Sequence, residues 1–408
     1  MRRGLLILVA VLLARLAPAW TNGFNKPYIG WMGYCYYHET VTATIISNAA
    51  FHLTTNGMKN PSHDTYVILD AYWSDATTNA LGVPVPVPAK FPNGMGPVVD
   101  YIHSLGLKAG IYCQGLPWQG VSPYNECVGG YETNAVNQFA AWGFDYLMVD
   151  FPNTDHQAQL TYFRNAIQLC GREMYLCTDH IGTEAYMPAL VNTCRTTADP
   201  DGSWTQVLAA MDDYNTQSTY AELGFWPDPS VLQIEVGPAY GGGQTYDQTT
   251  NEFRSQFMVW CVMGANLTVS TDLSQLSAMS LCLLTNAELI AVNQDARLAV
   301  GTRKAHTSGT GGYKDVWAKP LSNGGTAVAC MNGTSGTTTF TLDFGTLGYP
   351  GFAANVRDLL SHSDLGAYTN TFTTGNVSSH DSLAFELRPI AQAGARLGAV
   401  VMGAGNFR

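Results

Sequence analysis

Two aspartates stand where chemistry is possible. Asp150 closes the run Trp142-Gly-Phe-Asp-Tyr-Leu-Met-Val-Asp150, an apolar stretch ending on a carboxylate. Asp199 closes Cys194-Arg-Thr-Thr-Ala-Asp199, with Arg195 four residues before it. Two carboxylates facing one pocket are the minimum equipment for glycoside hydrolysis: one attacks the anomeric carbon, the other protonates the departing oxygen. The acid must hold its proton near working pH, which needs desolvated or negatively charged surroundings. Asp is also a common helix N-cap after a strand, so spacing alone leaves a catalytic pair and two unrelated caps both open. Trp31, Tyr34, Tyr72, Trp73, Tyr112, Trp118 and Trp226 fall at or just after the ends of strand-like runs. Flat rings suit the apolar faces of pyranoses, although each ring taken singly fits core packing as well. Other chemistries lack their signatures. There is no GxSxG elbow and no P-loop, and the Gly241-Gly242-Gly243 run lacks the strand–helix setting of a phosphate loop. His38, His63, His103, His156 and His180 have no HExxH-like spacing, which gives metal binding little support.

These side chains need a scaffold that brings strand ends together. The strand candidates are 29–35, 66–73, 108–114, 146–151, 174–179, 193–199, 231–236 and 266–271. Helical patterns lie at 41–54, 95–105, 133–142, 157–170, 184–191, 203–220, 251–263 and 276–293. Eight strand–helix units in order predict a (β/α)8 TIM barrel over residues 20–300 rather than an open sheet. In that architecture catalytic groups come from the C-terminal strand ends, where Asp70, Tyr112, Asp150, Thr178-Asp179, Asp199 and Asp272 all fall. After Gly301 the texture changes to short alternating runs rich in Gly, Thr and Ser, which predict a small antiparallel β-sandwich over 301–390. The Ala/Gly-rich stretch 391–408 carries little pattern and reads as a flexible tail.

Composition narrows the class. Of 408 residues only 12% are charged, with Lys+Arg 20 against Asp+Glu 31 and a net charge of −11. Aromatics make up 11%. A disordered chain would carry more charge and fewer rings, and a nucleic-acid binder would show a basic surplus. At the N-terminus Arg2-Arg3, the apolar run 4–13 and Ala17-Pro18-Ala19 have the form of a secretory signal peptide over 1–19, and no other segment is long and apolar enough to span a membrane. The expected location is outside the cell, or the lumen of the secretory, lysosomal or vacuolar pathway. Nine cysteines leave at least one thiol unpaired, and at most a few disulfides are expected. Of the Asn-x-Ser/Thr acceptors, Asn266 lies in an apolar run and is expected to be buried, whereas Asn332 and Asn376 sit in turn-rich sequence open to glycans.

Taken together the motifs resemble the family 27 glycoside hydrolases, the α-galactosidase and α-N-acetylgalactosaminidase group. The resemblance runs from about residue 27 to 389. It is carried by Pro-Tyr-Ile-Gly-Trp-Met-Gly-Tyr (27–34), Lys-Phe-Pro-Asn-Gly-Met (90–95), Gly-Leu-Lys-Ala-Gly-Ile-Tyr (106–112), the run ending at Asp150 and Arg-Thr-Thr-Ala-Asp (195–199). Trp-Pro-Asp-Pro (226–229), Ile-Ala-Val-Asn-Gln-Asp (290–295) and Val-Arg-Asp-Leu (356–359) complete it. It implies a retaining mechanism with Asp150 as nucleophile and Asp199 as acid, then base, and it implies no metal and no organic cofactor. It places Trp31, Asp70, Tyr112, Arg195 and Asp228 in or near the sugar pocket. The chain departs from the family at four positions. Ala71 stands where a second acid is usual, Met148 where a Lys is usual, Ser230 where an Asp is usual and Thr178 where a Glu is usual. Those groups normally bond galactose hydroxyls, and a pocket that loses such partners loses its preference. The partner implied is therefore a carbohydrate, with the oligomeric state open between monomer and homodimer. The alternatives are the same chemistry on another sugar (an isomalto-dextranase-like action on α-1,6-glucan, or a β-L-arabinopyranosidase) and a carbohydrate-binding homologue without turnover.

Overall fold

The computed structural model describes residues 20, 22–59, 63–115, 126–151, 156–235, 237–240, 244–246, 248–348 and 353–390. The expected leader 1–19, the tail 391–408, Trp118 and the Gly241–Gly243 run lie outside the described residues.

Eight parallel strands form the catalytic half: β1 Ile29–Met32, β2 Thr65–Leu69, β3 Lys108–Gln114, β4 Tyr146–Asp150, β5 Tyr175–Thr178, β6 Thr193–Arg195, β7 Trp226–Asp228 and β8 Leu267–Val269. They pair in the order β8-β1-β2-β3-β4-β5-β6-β7. Leu232, beyond β7, donates to Thr268 and accepts from Ser270, bridging toward β8 and closing the ring. The strands read as near-continuous apolar runs because both faces are covered. Alternation still sorts them. Val67, Leu69, Ala109, Ile111, Cys113, Leu147 and Val149 join the layer beneath the helices. Tyr66, Ile68, Tyr112, Tyr146, Met148, Tyr175 and Cys177 fill the barrel interior with Tyr28. Tyrosine rings meet there edge to face, with Tyr28 to Tyr146 at 5.1 Å and Tyr28 to Tyr175 at 5.3 Å, a geometry that suits ring quadrupoles. Bulk in one layer needs absence in the next: a Cβ on Gly110 would lie 2.8 Å from Tyr146 and 2.9 Å from Ile68.

The main helices are α1 Ala43–Thr55, α2 Gly96–Ser104, α3 Glu132–Trp142, α4 His156–Cys170, α5 Trp204–Gln217, α6 Thr250–Met263, α7 Ala278–Leu284 and α8 Ala287–Asn293. Helix α6 has a full capping box, Thr249 with Glu252, and ends at Gly264 in the left-handed region. It is buried along almost its whole length because it is wedged between the barrel and a second body. That body is a six-stranded antiparallel sheet of order β9-β10-β11-β14-β12-β13. Its strands are β9 Thr302–Gly309, β10 Gly312–Pro320, β11 Thr326–Asn332, β12 Ala353–Asp358, β13 Ser363–Thr369 and β14 Ser382–Pro389. The pair Thr341–Asp343 and Thr371–Thr373 covers it, over a core containing Phe340, Phe344, Phe372 and Phe385. Arg254 on α6 pairs with Asp381, and Ser382 donates to Ser255, tying the two bodies together.

Three expected elements are corrected. The seventh strand is Trp226–Asp228, not 231–236, because Asp228 accepts from Ser230 and the chain turns there, with Ser230 at φ +74°. The pattern at 184–191 is only the 3-10 turn Met187–Ala189. The pattern at 276–293 breaks in two where the Asn286 side chain accepts from Glu288 and Leu289 and starts α8. Of the expected disulfides none is present among the described residues, and six of the nine cysteines are buried as small apolar side chains. Asn266 is buried as expected. Asn332 is buried as well, its amide donating to the carbonyls of Gly336, Val377 and Ser378, so it is closed to glycosylation, whereas Asn376 is exposed.

Candidate active site

The C-terminal strand ends converge on one acidic cluster. Asp150 is the last residue of β4, and the Tyr112 hydroxyl on β3 donates to its Oδ2 at 2.9 Å. Gln114 donates to that hydroxyl at 3.3 Å, fixing the Tyr112 oxygen between two partners. Arg195 is the last residue of β6. Its guanidinium lies 3.1 Å from Asp179 and also pairs with Asp199 one turn on. Asp70 follows β2 and accepts from the Ala71 N–H at 2.6 Å. Asp228 ends β7, buried, accepting from Ser230 N–H at 2.9 Å and Asn266 Nδ2 at 3.1 Å.

The electrostatics show that these groups share one field. Burial pushes the Asp70 carboxyl up to about 7; Asp199 and Asp150 push the same way, against the Ala71 hydrogen bond and Arg195. Asp179 is raised by burial and by Asp150, Asp199 and Asp70, with Arg195 opposing. Asp228 is raised to about 6 by burial, against its hydrogen bonds and Arg195. Arg195 is thus the shared counter-ion of an acidic ring, held charged by Asp179, Asp199 and Asp150. Asp199 itself reaches into solvent at the mouth.

The structure brings together Asp70, Tyr112, Asp150, Arg195, Asp199 and Asp228. Met148 and Ala71 meet in the apolar interior cluster beside Tyr112. Thr178 is buried, its hydroxyl accepting from His180 N–H. The aromatic platform is smaller than expected. Trp31, Trp73 and Trp226 expose almost no surface. The Trp31 indole donates to the Thr271 carbonyl at 2.7 Å and that of Trp73 to the Tyr112 carbonyl at 2.9 Å, so both belong to the packed core. Tyr34 and Tyr72 remain partly open, stacked at 6.0 Å. Tyr72 is held at φ +69°, its N–H donating to the buried Glu126 and its hydroxyl bonded to His38, itself at φ +44°. Backbone strain of this kind persists only where the surroundings impose it.

Asp179 falls at an expected strand end, but its pairing with Arg195 leaves no signal in sequence, since it stands one step beyond Thr178 in the matching position. The turn after β5 nevertheless swings its carboxylate onto Arg195. Glu126, far from any strand end in sequence, was equally hidden. Among the described residues one group has the makings of a metal site, His156, His180 and Glu184.

A closed parallel barrel with paired carboxylates at its C-terminal mouth defines a glycoside-hydrolase-type catalytic domain with an appended β-sandwich. Residues 36–295 match the family described as alpha galactosidase A, and residues 311–387 match the alpha galactosidase C-terminal beta sandwich domain. The chain belongs to this α-galactosidase family, glycoside hydrolase family 27, and is a glycoside hydrolase. It is 32% identical over 378 residues to alpha-galactosidase 3 of Arabidopsis thaliana, covering 90% of this chain and 83% of that one. A probable alpha-galactosidase of Dictyostelium discoideum is 29% identical, covering 94% and 99%. In fold it is similar to alpha-galactosidase I of Mortierella vinacea (TM-score 0.79, 24% identity, covering 90% and 98%). It is equally similar to a β-L-arabinopyranosidase of Geobacillus stearothermophilus (TM-score 0.80, 22% identity, covering 91% and 98%).

Proposed function

We propose that the chain is a secreted retaining α-glycosidase acting on terminal α-linked galactose-type sugars, with Asp150 as nucleophile and Asp199 as acid and base. The observation that carries this reading is the Tyr112–Asp150 hydrogen bond beside the Arg195–Asp199 pair, two carboxylates from the ends of β4 and β6 in one field. Tyr112 orients the Asp150 carboxylate for attack on the anomeric carbon. Asp199 gives its proton to the departing oxygen, and the sugar remains as an ester on Asp150. Asp199, now a carboxylate, takes a proton from water, which attacks the same carbon from the side the leaving group vacated. Two inversions retain configuration. Asp199 starts paired to Arg195, so its first step requires Arg195 to turn toward Asp179 or toward a sugar hydroxyl. Asp70, protonated below about pH 7, donates a hydrogen bond to a hydroxyl as readily as it accepts one. Secretion rests on the leader-like 1–19 segment, and no described helix is long and apolar enough to cross a membrane.

A second reading keeps this chemistry and changes the sugar. Ala71 and Met148 form an apolar wall where the family usually places an acid and a lysine, which removes partners for hydroxyls on that side. A panel of p-nitrophenyl α-galactoside, α-glucoside and β-L-arabinopyranoside plus dextran, at mildly acidic pH, separates the readings. Galactose release supports the first; isomaltose from dextran with no galactose release replaces it by the second. Asp150→Ala should cut turnover on the active substrate by at least about 10⁴-fold, and unchanged turnover would refute the nucleophile assignment.

A further inference from the structure

Beside the acidic ring the chain gathers a second polar cluster. His156 is the first residue of α4, His180 lies two residues beyond β5, and Glu184 follows four residues later. The two imidazole rings are 3.7 Å apart between centroids and tilted by 35°. His180 Nε2 lies 3.7 Å from Glu184 Oε1. One ligand atom from each of the three residues lies within 4.8 Å of the other two. The Phe151 ring flanks His156 at 5.8 Å, and His156 Nε2 is shielded from solvent.

Imidazole lone pairs lie in the ring planes, so the two rings share a cation once each turns a nitrogen edge toward one point. A metal takes imidazole nitrogens in their neutral form. Two nitrogens and one carboxylate suit borderline first-row cations, Zn²⁺ foremost, whereas Ca²⁺ and Mg²⁺ prefer oxygen throughout. Bond lengths of about 2.0–2.2 Å put neighbouring ligand atoms roughly 3.0–3.5 Å apart. Closing from the present spacing needs rotation about side-chain torsions, for which Glu184, half exposed on the rim, has room.

We propose that His156, His180 and Glu184 form a binding site for a divalent transition-metal ion of the Zn²⁺ type, separate from the acidic ring that carries the glycosidase reading. The ion ties the start of α4 to the turn after β5 and keeps a coordination position for water. It takes no part in glycoside cleavage.

The test uses the tag-free, metal-stripped full chain carrying Cys282→Ser, which removes the exposed thiol as a rival ligand. Calorimetric titration with Zn²⁺, and Co²⁺ absorption as a report on nitrogen ligation, should give one ion per chain with a Kd at or below about 10 µM. His180→Ala and Glu184→Gln should each weaken binding at least tenfold, and His52→Ala on α1 should leave it unchanged. Glu184→Gln changes a half-exposed side chain and so keeps the test valid if a histidine variant fails to fold. No stoichiometric binding below about 100 µM, or equal affinity in both site variants, overturns the proposal. Glycosidase turnover is not read, so this proposal and the active-site assignment fail independently.

Discussion

Asp70→Asn isolates the cost of holding an acidic ring around one arginine. The Asp70 carboxyl is pushed up to about 7 from an ordinary 3.8, with burial the largest cause and Asp199 and Asp150 next. A raised carboxyl means that the folded chain binds this proton more tightly than the unfolded chain. Its effect on stability is therefore neutral below about pH 4 and turns increasingly unfavourable as pH rises through 7. About three pK units at 1.36 kcal/mol each set an upper limit near 4 kcal/mol. Asp70 keeps some contact with solvent, which screens this toward roughly 2 kcal/mol. Asparagine cannot ionise and still accepts from the Ala71 N–H. The variant should exceed the parent by only about 1 kcal/mol at pH 4.5 and by about 2–4 kcal/mol at pH 8. With an unfolding entropy of about 2.1 cal/mol/K per residue over a chain of this length, that is roughly 3–5 °C in Tm. Thermal unfolding of both proteins at the two pH values reads it directly. A Tm difference that is the same at both, or a parent more stable at pH 8, refutes the reasoning that burial, aided by the neighbouring acids, holds the Asp70 proton.

Other consequences follow from the same contacts. Tyr112→Phe removes the hydroxyl that orients Asp150 and should lower kcat/KM about 10- to 100-fold, mostly in kcat, with little change in Tm. Asp145→Asn weakens the partner of Arg172, His103 and the Ala109 N–H at once; denaturant titration should show a loss of about 2–3 kcal/mol. Thiol titration with a chromogenic disulfide should find one fast-reacting group, Cys282, in the native chain and nine after denaturation without reductant. Fewer than nine would mean that disulfides form.

The barrel was legible because a strand covered on both faces must be apolar and about five residues long, as Tyr66–Leu69 and Tyr146–Val149 are. Strand ends were legible where a polar residue closing such a run, as Asp150 does, has to leave the packed layer; the sixth strand instead stops at Arg195, four residues short of the expected Asp199. The seventh strand was not. Trp226-Pro227-Asp228 is too short to outweigh the longer apolar run at 231–236, and only the Asp228–Ser230 turn separates them. Tryptophan placement failed for a related reason. Position after a strand end does not distinguish a ring facing the mouth from one whose N–H finds a carbonyl inside, as Trp31 finds Thr271. Partnerships between loops, such as Asp179 with Arg195 or His156 with His180, leave no trace in spacing.

The departures from the family acquire a physical meaning once the ring is counted. Ala71 and Met148 each stand where the family usually has a charged group, one acid and one base, so losing both leaves the local charge balance nearly unchanged. A lone acid at 71 would have stood beside Asp70, already raised to about 7. Apolar side chains in this wall leave no further buried charge to satisfy. Arg195 could not be lost in the same way. It opposes the raised carboxyls of Asp70, Asp179 and Asp228, so without it more of the ring must hold protons or the strand ends must separate.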